Sequence, residues 1–387
     1  MLNVLKIKIV PDANLFIVHL NKTCMHIALL ASGMSWGKKE SLAITVRQYA
    51  QELQRRGHTV AIISEKKGAL SEEVEDGVLL FRANGGSLFA YLFAFYRARK
   101  KLGTFDVIHG FSAAPVFVLR SLLCKIVEPR ARVIHTLKSY SRSSFGYYFT
   151  WLLKFAHGVT VPTLVYKQKL RSLRHVSVIR SHIDISAFYS YPPKEKKLIR
   201  KILNLPEVPI LFYYGATWDD KGVSVLFQAI RQLLDQNSPV FLLLVTRYEL
   251  ESPLKQQLLD LKLNNHVRVI NEKITVCDYL NAVDVCVLPY KSLRGTEGNP
   301  SCLLESVACK TPVITTKLPE LEEIFENETD MLLVQPNNAV QFAVGIKQLL
   351  DEPSLAERLA HHAWTRIADF DVKKITDEFL KCYDCNS

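Results

Sequence analysis

The strongest constraint on the fold is the order in which short apolar runs alternate with segments of helical period. From Met25 the run HIALLA is of β type and SGMSWGK is a glycine-containing turn. Ser41 to Arg56 then has helical period, ends at Gly57 and leads into a second β-type run, TVAIIS. Within the helical segment Leu42, Val46, Tyr49 and Leu53 fall on one face. VLLFRA, DVIHGF (106–111) and RVIHTL (132–137) continue the series, separated by helix-compatible stretches. Strands joined by helical crossovers pair in parallel, so this pattern predicts a mostly parallel sheet covered by helices on both faces.

Around Ser186 to Lys197 the sequence SAFYSYPPKEKK breaks the alternation with paired prolines and a charge run, and reads as an interdomain linker. A second α/β series follows: strands at 208–216, 240–246, 266–270 and 283–289, a helix from Val223 to Leu234, and a helix at 302–310 leading to PVITT. Two open α/β domains in succession imply a cleft between them. The expected division is an N-terminal extension over 1–24, one domain over 25–190, a second over 191–365, and a closing helix over 366–387. A length of 387 residues suits two large domains.

With 48% hydrophobic and 22% charged residues the chain is neither disordered nor fibrous. Every apolar stretch is interrupted well before the ~18 residues of a membrane span. Lys6, Lys8 and Asp12 and the lack of a small-residue cleavage site argue against a signal peptide, so a cytoplasmic location is expected. Of the cysteines only Cys382 and Cys385 are closely spaced, and with no second pair they predict no zinc site. Charge is unevenly divided, +19 over residues 1–200 and −8 over 201–387. The basic half should attract an anionic partner. Its aromatics form no RNA-binding motif, so nucleic acid is not expected. Two stretches, 87–101 and 144–155, instead set Phe89, Tyr91, Phe93, Phe95, Tyr96, Tyr147, Tyr148, Phe149 and Trp151 near Arg97, Arg99, Lys100, Lys101 and Lys154, a pattern suited to an anionic membrane surface or, alternatively, to ordinary core-facing helices.

The segment most informative about chemistry is GTEGNPSCLLESVACKTPVITT, Gly295 to Thr316. It reads as a loop entering a helix, with Glu297 in the loop and Glu305 one to two turns into the helix. Backbone N–H groups near Gly298, Asn299 and Ser301 would face a bound anion, and the two carboxylates would accept hydrogen bonds from sugar hydroxyls. One pocket of this kind holds both a phosphate and a polyol.

This segment resembles the E-x7-E signature of the retaining glycosyltransferases of family 4, also called glycosyl transferases group 1. The resemblance extends to residues 25–37, to DVIH (106–109), to HIDISAF (182–188), to GATWDDKG (215–222) and to the helix Asp369 to Tyr383. It implies the GT-B fold, two Rossmann-like domains facing each other across a cleft, with a UDP- or GDP-sugar donor in the C-terminal domain and a saccharide or lipid-linked acceptor in the N-terminal one. It implies a transfer of a hexose-type sugar that retains anomeric configuration, with no cofactor beyond the nucleotide sugar. Because the sequence has no D-x-D turn suited to holding a divalent metal to phosphates, metal independence is expected. Carried over by position, Glu305 binds the ribose, Glu297 contacts the donor sugar, and Lys221 neutralises the departing diphosphate, which the amides of the Gly33 to Gly37 turn approach from the other domain. A fixed cation beside a pyrophosphate leaving group is sensible chemistry in any case.

The chain departs from the family pattern at three places. Ala216 stands where an arginine is usual, which puts more weight on Lys221. Lys138 occupies the place of a common histidine, and binds anions instead of doing imidazole chemistry. Lys310 replaces a glycine at a turn. His109 is a candidate substrate contact, with a satisfied core histidine as the alternative. Beside the enzyme reading stand a catalytically silent sugar-nucleotide-binding subunit, motivated by Ala216 and Lys138, and a GT-B epimerase.

Overall fold

The first domain is built on the predicted alternation. In a computed structural model that describes residues 24–32, 41–65, 71–75, 77–112, 114–139 and 147–384, its strands are β1 (His26–Ala31), β2 (Thr59–Glu65), β3 (Glu72–Glu75), β4 (Val78–Ala83), β5 (Val107–Phe111), β6 (Arg132–Thr136), β7 (Gly158–Val161) and β8 (Val176–Val178). They form one sheet in the order β3-β4-β2-β1-β5-β6-β7-β8. All pairings are parallel except β3 with β4. The second sheet holds β9 (Ile210–Tyr214), β10 (Phe241–Val245), β11 (Val267–Ile270), β12 (Val285–Leu288), β13 (Val313–Thr316) and β14 (Leu332–Val334) in the order β11-β10-β9-β12-β13-β14. Its pairings are all parallel. Strand direction of growth reverses between β1 and β5 in one sheet and between β9 and β12 in the other. Crevices at such reversals, outside the carboxyl ends of the strands, are where open α/β sheets receive ligands.

The strands read as continuous apolar runs because both faces are covered. Alternate residues of β1 enter different cores: Ala28 and Leu30 pack with Phe95, Ile108 and Val133, whereas Ile27 and Leu29 pack with Val46, Tyr49 and Leu53. The second sheet has the same two-sided burial, with Leu242 and Leu244 against Leu226 and Ile230 on one face and Leu243 and Val245 against Cys277 and Leu280 on the other.

The charge run after the paired prolines is not a linker. Pro192 and Pro193 start a helix, Pro193–Ile202, at its N-cap and first position, where proline's fixed φ and missing N–H suit the end of a helix. The chain crosses between domains just before it and again at 370–372, side by side: Ile183 donates from its backbone N–H to Phe370 O (2.9 Å), and Val372 returns the bond to Ile183 O (3.0 Å). The last helix, Val372–Tyr383, then lies on the first domain, burying Ile375, Phe379, Leu380 and Tyr383 with Val46, Tyr49 and Leu53. Arg56 ties it down through the Asp377 carboxylate and Lys373 O.

The two aromatic stretches divide their rings. In the helix Leu88–Leu102, Tyr91 and Phe95 are buried while Phe89 (82% exposed), Phe93 and Tyr96 line the opposite face. In Tyr147–Leu153, Phe149 is buried and Tyr148 (80% exposed) and Trp151 are outside. Residues 144–146 fall outside the described residues. Of the nearby cations, Arg97 and Lys101 reach Glu72 and Arg99 pairs with Glu128. No helix among the described residues is long and apolar enough to cross a membrane.

Candidate functional site

Lys221 is positioned by a turn that tolerates one residue type at its end. After β9 the chain enters a single 3-10 turn, Asp219–Lys221, closed by Gly222 at φ 73°. A Cβ at Gly222 would lie 1.8 Å from Pro289 O, so only glycine lets the turn sit against the end of β12. Asp220 fixes the far side: its carbonyl accepts from Lys291 N (2.9 Å), and its carboxylate from Ser292 Oγ (2.7 Å) and Arg294 Nη2 (2.7 Å). Burial opposes ionisation of Asp220, but the Ser292 and Arg294 bonds outweigh it and hold the carboxyl below its ordinary range. Lys221 is thereby turned inward rather than into solvent. It is buried, donates to the Thr296 hydroxyl, and lies 5.2 Å from the centre of the Tyr290 ring. Burial pushes its ammonium below the usual lysine range, against the pull of Cys302, Glu297 and Asp220.

Glu297 is buried at the seam between the domains. It pairs as an antiparallel bridge with Ser139, and the next amide, Gly298 N–H, donates to Lys138 O (2.9 Å). Gly298 is needed for that approach, since a Cβ there would come within 2.7 Å of Pro162 Cγ and 3.1 Å of Thr163 Cγ2. Asn299 is completely buried and accepts from Ser181 N–H through Oδ1 (2.9 Å). The Gly298 contact corrects the expectation that this amide turns to an anion. The Gly298 N–H is committed to the other domain, and the Asn299 side chain holds the segment that leads to the interdomain crossing. Glu323 adds a further strap, its carboxylate accepting from Leu164 N (2.6 Å) and Val165 N (2.7 Å) at the start of a first-domain helix.

Ser301 opens the helix Ser301–Ala308, and Glu305 lies one turn in. Glu305 is half-buried rather than a solvated helix residue, and its Oε2 is buried without a hydrogen-bond partner among the described residues. Burial, reinforced by the Glu297 charge and opposed by Arg247, pushes its carboxyl up to about 7. Arg247 follows β10, and its charge also acts on Tyr214 at the end of β9. Nothing in its spacing relates it to Glu305; only its place just past a strand's carboxyl end hints at the site. Thr296 and Tyr290 likewise have no residue-type signature.

On the first-domain side, Lys138 follows β6 and is buried, with no hydrogen-bond partner for its ammonium among the described residues. Burial lowers its proton affinity and Glu297 raises it. His109, carried as a substrate contact, is corrected. Its ring is fully buried and stacked on Phe111, Nε2 is 2.6 Å from Thr136 Oγ1, and Nδ1 bonds the Tyr383 hydroxyl. Both nitrogens are taken, so it serves to seat the last helix. Burial first, then the charges of His135 and Lys138, holds it well below the ordinary histidine range. Gly33 and Gly37 lie outside the described residues. Among the described residues no group of three or more His, Cys, Asp or Glu side chains is gathered as for a metal ion.

Two parallel α/β domains with a lysine turn and two glutamates at their facing carboxyl ends define the GT-B class. Residues 42–187 match the family model described as Glycosyltransferase Family 4, and residues 195–365 match that described as Glycosyl transferases group 1. The chain belongs to this family of GT-B glycosyltransferases. It is 28% identical over 239 residues to the N,N'-diacetylbacillosaminyl-diphospho-undecaprenol alpha-1,3-N-acetylgalactosaminyltransferase of Campylobacter jejuni, covering 60% of this chain and 61% of that protein. It is 30% identical over 203 residues to the putative teichuronic acid biosynthesis glycosyltransferase TuaC of Bacillus subtilis, covering 51% and 48%. In both cases the match spans less than two thirds of the relative's own length. Its fold is similar to that of Anabaena HepE in complex with UDP and glucose, with TM-score 0.76, 18% identity, and 92% and 98% of the two chains covered.

Proposed function

We propose that the protein is a glycosyltransferase that moves a hexose-type sugar from a nucleotide diphosphate sugar to a cell-envelope polysaccharide or lipid-linked acceptor. The observation that carries this reading is the gathering of Lys221, Glu297 and Glu305 at the β9/β12 reversal, with Lys138 reaching the same glutamate from the other domain. Glu305 accepts from the ribose hydroxyls and Glu297 from the donor sugar. Lys221 meets the negative charge that develops on the diphosphate as the bond from the anomeric carbon to the phosphate oxygen breaks. The acceptor hydroxyl attacks on the face the diphosphate leaves, gives its proton to the departing phosphate oxygen, and so retains configuration. Because Lys221 is fixed and desolvated, it supplies the countercharge itself, and the transfer is metal-independent. Relatives named for work on an undecaprenol-linked sugar and on teichuronic acid, and a neighbour holding UDP and glucose, support the acceptor and donor classes.

Calorimetric titration with UDP, GDP and ADP tests this, with Glu305→Ala beside the wild type. Selective binding lost in the variant is expected and names the base; no binding by the folded protein overturns the donor site. Turnover then separates an enzyme from a silent binding subunit, the product's anomeric configuration is read by NMR, and activity that needs manganese after chelation counts against metal independence.

The same reading puts the protein on the cytoplasmic face of a membrane, peripherally. Phe89, Phe93, Tyr96, Tyr148 and Trp151 would enter the headgroup boundary, and Lys100 and Lys154 meet anionic lipid. Co-sedimentation with phosphatidylglycerol vesicles should fall with salt and in a Phe89→Ser/Phe93→Ser variant, and indifference to both would end the idea.

A further inference from the structure

At the domain seam three polar groups from both domains are buried and lack hydrogen-bond partners among the described residues: Lys138 Nζ, Asn299 Nδ2 and Ser181 Oγ. Their residues are joined by two hydrogen bonds to the main chain. Asn299 Oδ1 accepts from the Ser181 amide (2.9 Å), and the amide of Gly298, the residue before Asn299, is bonded to the carbonyl of Lys138 (2.9 Å). Lys138 is 6% exposed, Ser181 2% and Asn299 0%, so all three are shut off from bulk solvent. Glu297 offsets part of the Lys138 charge, but a buried ammonium and a buried amide N–H without hydrogen-bond partners among the described residues are still costly, and an oxyanion taking both relieves the cost. The histidine that follows Ser181 does not supply it. His182 spends Nε2 on Thr45 O (3.0 Å), and burial, with the Lys138 charge beside it, holds it well below the ordinary histidine range. Lys221, by contrast, has its partner in Thr296 and acts on Glu297 from within the second domain.

We propose that Lys138, Asn299 and Ser181 form an oxyanion subsite that reads a negatively charged group of the substrate other than the departing diphosphate. The shared chemistry is a carboxylate or phosphate accepting from an ammonium, an amide N–H and a hydroxyl. Its two sources are the carboxylate of a uronic acid carried by the donor and a phosphate carried by the acceptor. The inference rests on the glycosyltransferase reading above and gives it a substrate class.

Calorimetry on the whole protein tests it in three arms: UDP alone, UDP-glucuronate against UDP-glucose, and glucose 6-phosphate against glucose on UDP-saturated protein, with the GDP series substituted if GDP is the nucleotide bound. Lys138→Gln removes the cation. Asn299→Asp keeps the acceptor for Ser181 N–H and replaces the free N–H by a carboxylate oxygen. One anionic probe should bind about tenfold or more tighter than its neutral partner, as a charge-assisted bond provides. That preference should shrink to within about threefold in both variants while UDP affinity stays within about threefold. Preference for the uronate assigns the donor as source, and preference for the sugar phosphate the acceptor. No anion preference, preference that survives both variants, or UDP affinity falling in step with them overturns the subsite and leaves the glycosyltransferase reading standing. Failure of wild type to bind any nucleotide sinks both.

Discussion

Lys221 and Lys138 approach the same glutamate from opposite domains, and the two turns that carry them are built differently. The Lys221 turn is locked on every side: by Gly222 against Pro289, by Asp220 to Ser292 and Arg294, and by the ammonium on Thr296. The Lys138 segment is held through its backbone, with Lys138 O taking the Gly298 amide and Ser139 paired to Glu297, while its ammonium feels the Glu297 charge but makes no hydrogen bond among the described residues. A leaving group that every donor shares calls for a charge fixed beforehand, because electrostatic stabilisation is largest when no reorganisation is needed. A group that selects among substrates gains from being incomplete until the right one arrives, since a wrong ligand leaves it unmet.

The largest break of this contrast is Lys221→Met. Removing a preorganised charge from a site of this kind costs about 10²–10³-fold in kcat. Steady-state turnover should show that loss, with Lys221→Arg recovering part of it; a loss under about tenfold would mean that the diphosphate is neutralised elsewhere, Arg247 being the nearest alternative by its influence on Glu305.

A smaller effect sharpens the donor side. The Glu305 carboxyl, pushed up to about 7 from the 4.5 of an exposed group, keeps its proton in the folded protein where the unfolded chain has lost it. That contribution to stability is present at low pH and fades as pH rises from about 4.5 through 7. Nucleotide binding runs the other way, since accepting from ribose hydroxyls needs the carboxylate. Affinity should therefore rise about tenfold between pH 6 and pH 8. Proton release on binding, read by calorimetry in buffers of different ionisation enthalpy, should vanish in Glu305→Gln. A flat pH profile in the wild type would place the ribose away from Glu305.

Much of this was legible before the coordinates, and unevenly so. The order of elements and the two-sheet layout follow from period, because parallel strands buried on both faces leave long apolar runs that the helices between them cannot imitate. The stretch 186–197 misled, since proline marks a helix start as readily as a linker and Pro193–Ile202 buries no residue to give itself away. The glutamates and Lys221 were visible through their motifs. What Gly298 and Asn299 do was not, because their partners, Pro162, Thr163 and Ser181, are more than a hundred residues distant in the chain and only the domain seam joins them. Thr296 and Arg247 act through position alone, and a single sequence carries no mark of that.

The mildest test isolates the first-domain side. His109 lies in β5 and feels the charge of Lys138, and its orientation depends on the last helix, whose Tyr383 hydroxyl bonds both His109 Nδ1 and Tyr49 OH (2.8 Å). Tyr383→Phe deletes that hydroxyl without opening a large cavity and leaves a fully buried ring nitrogen unmet, at a cost of about 1–3 kcal/mol. The expected result is a lower denaturation midpoint with unchanged slope, and UDP or GDP affinity within about twofold of wild type. If nucleotide affinity falls with stability instead, the last helix sets the donor site as well, and the two sides of the cleft form one cooperative unit in which neither lysine turn is built independently of the other.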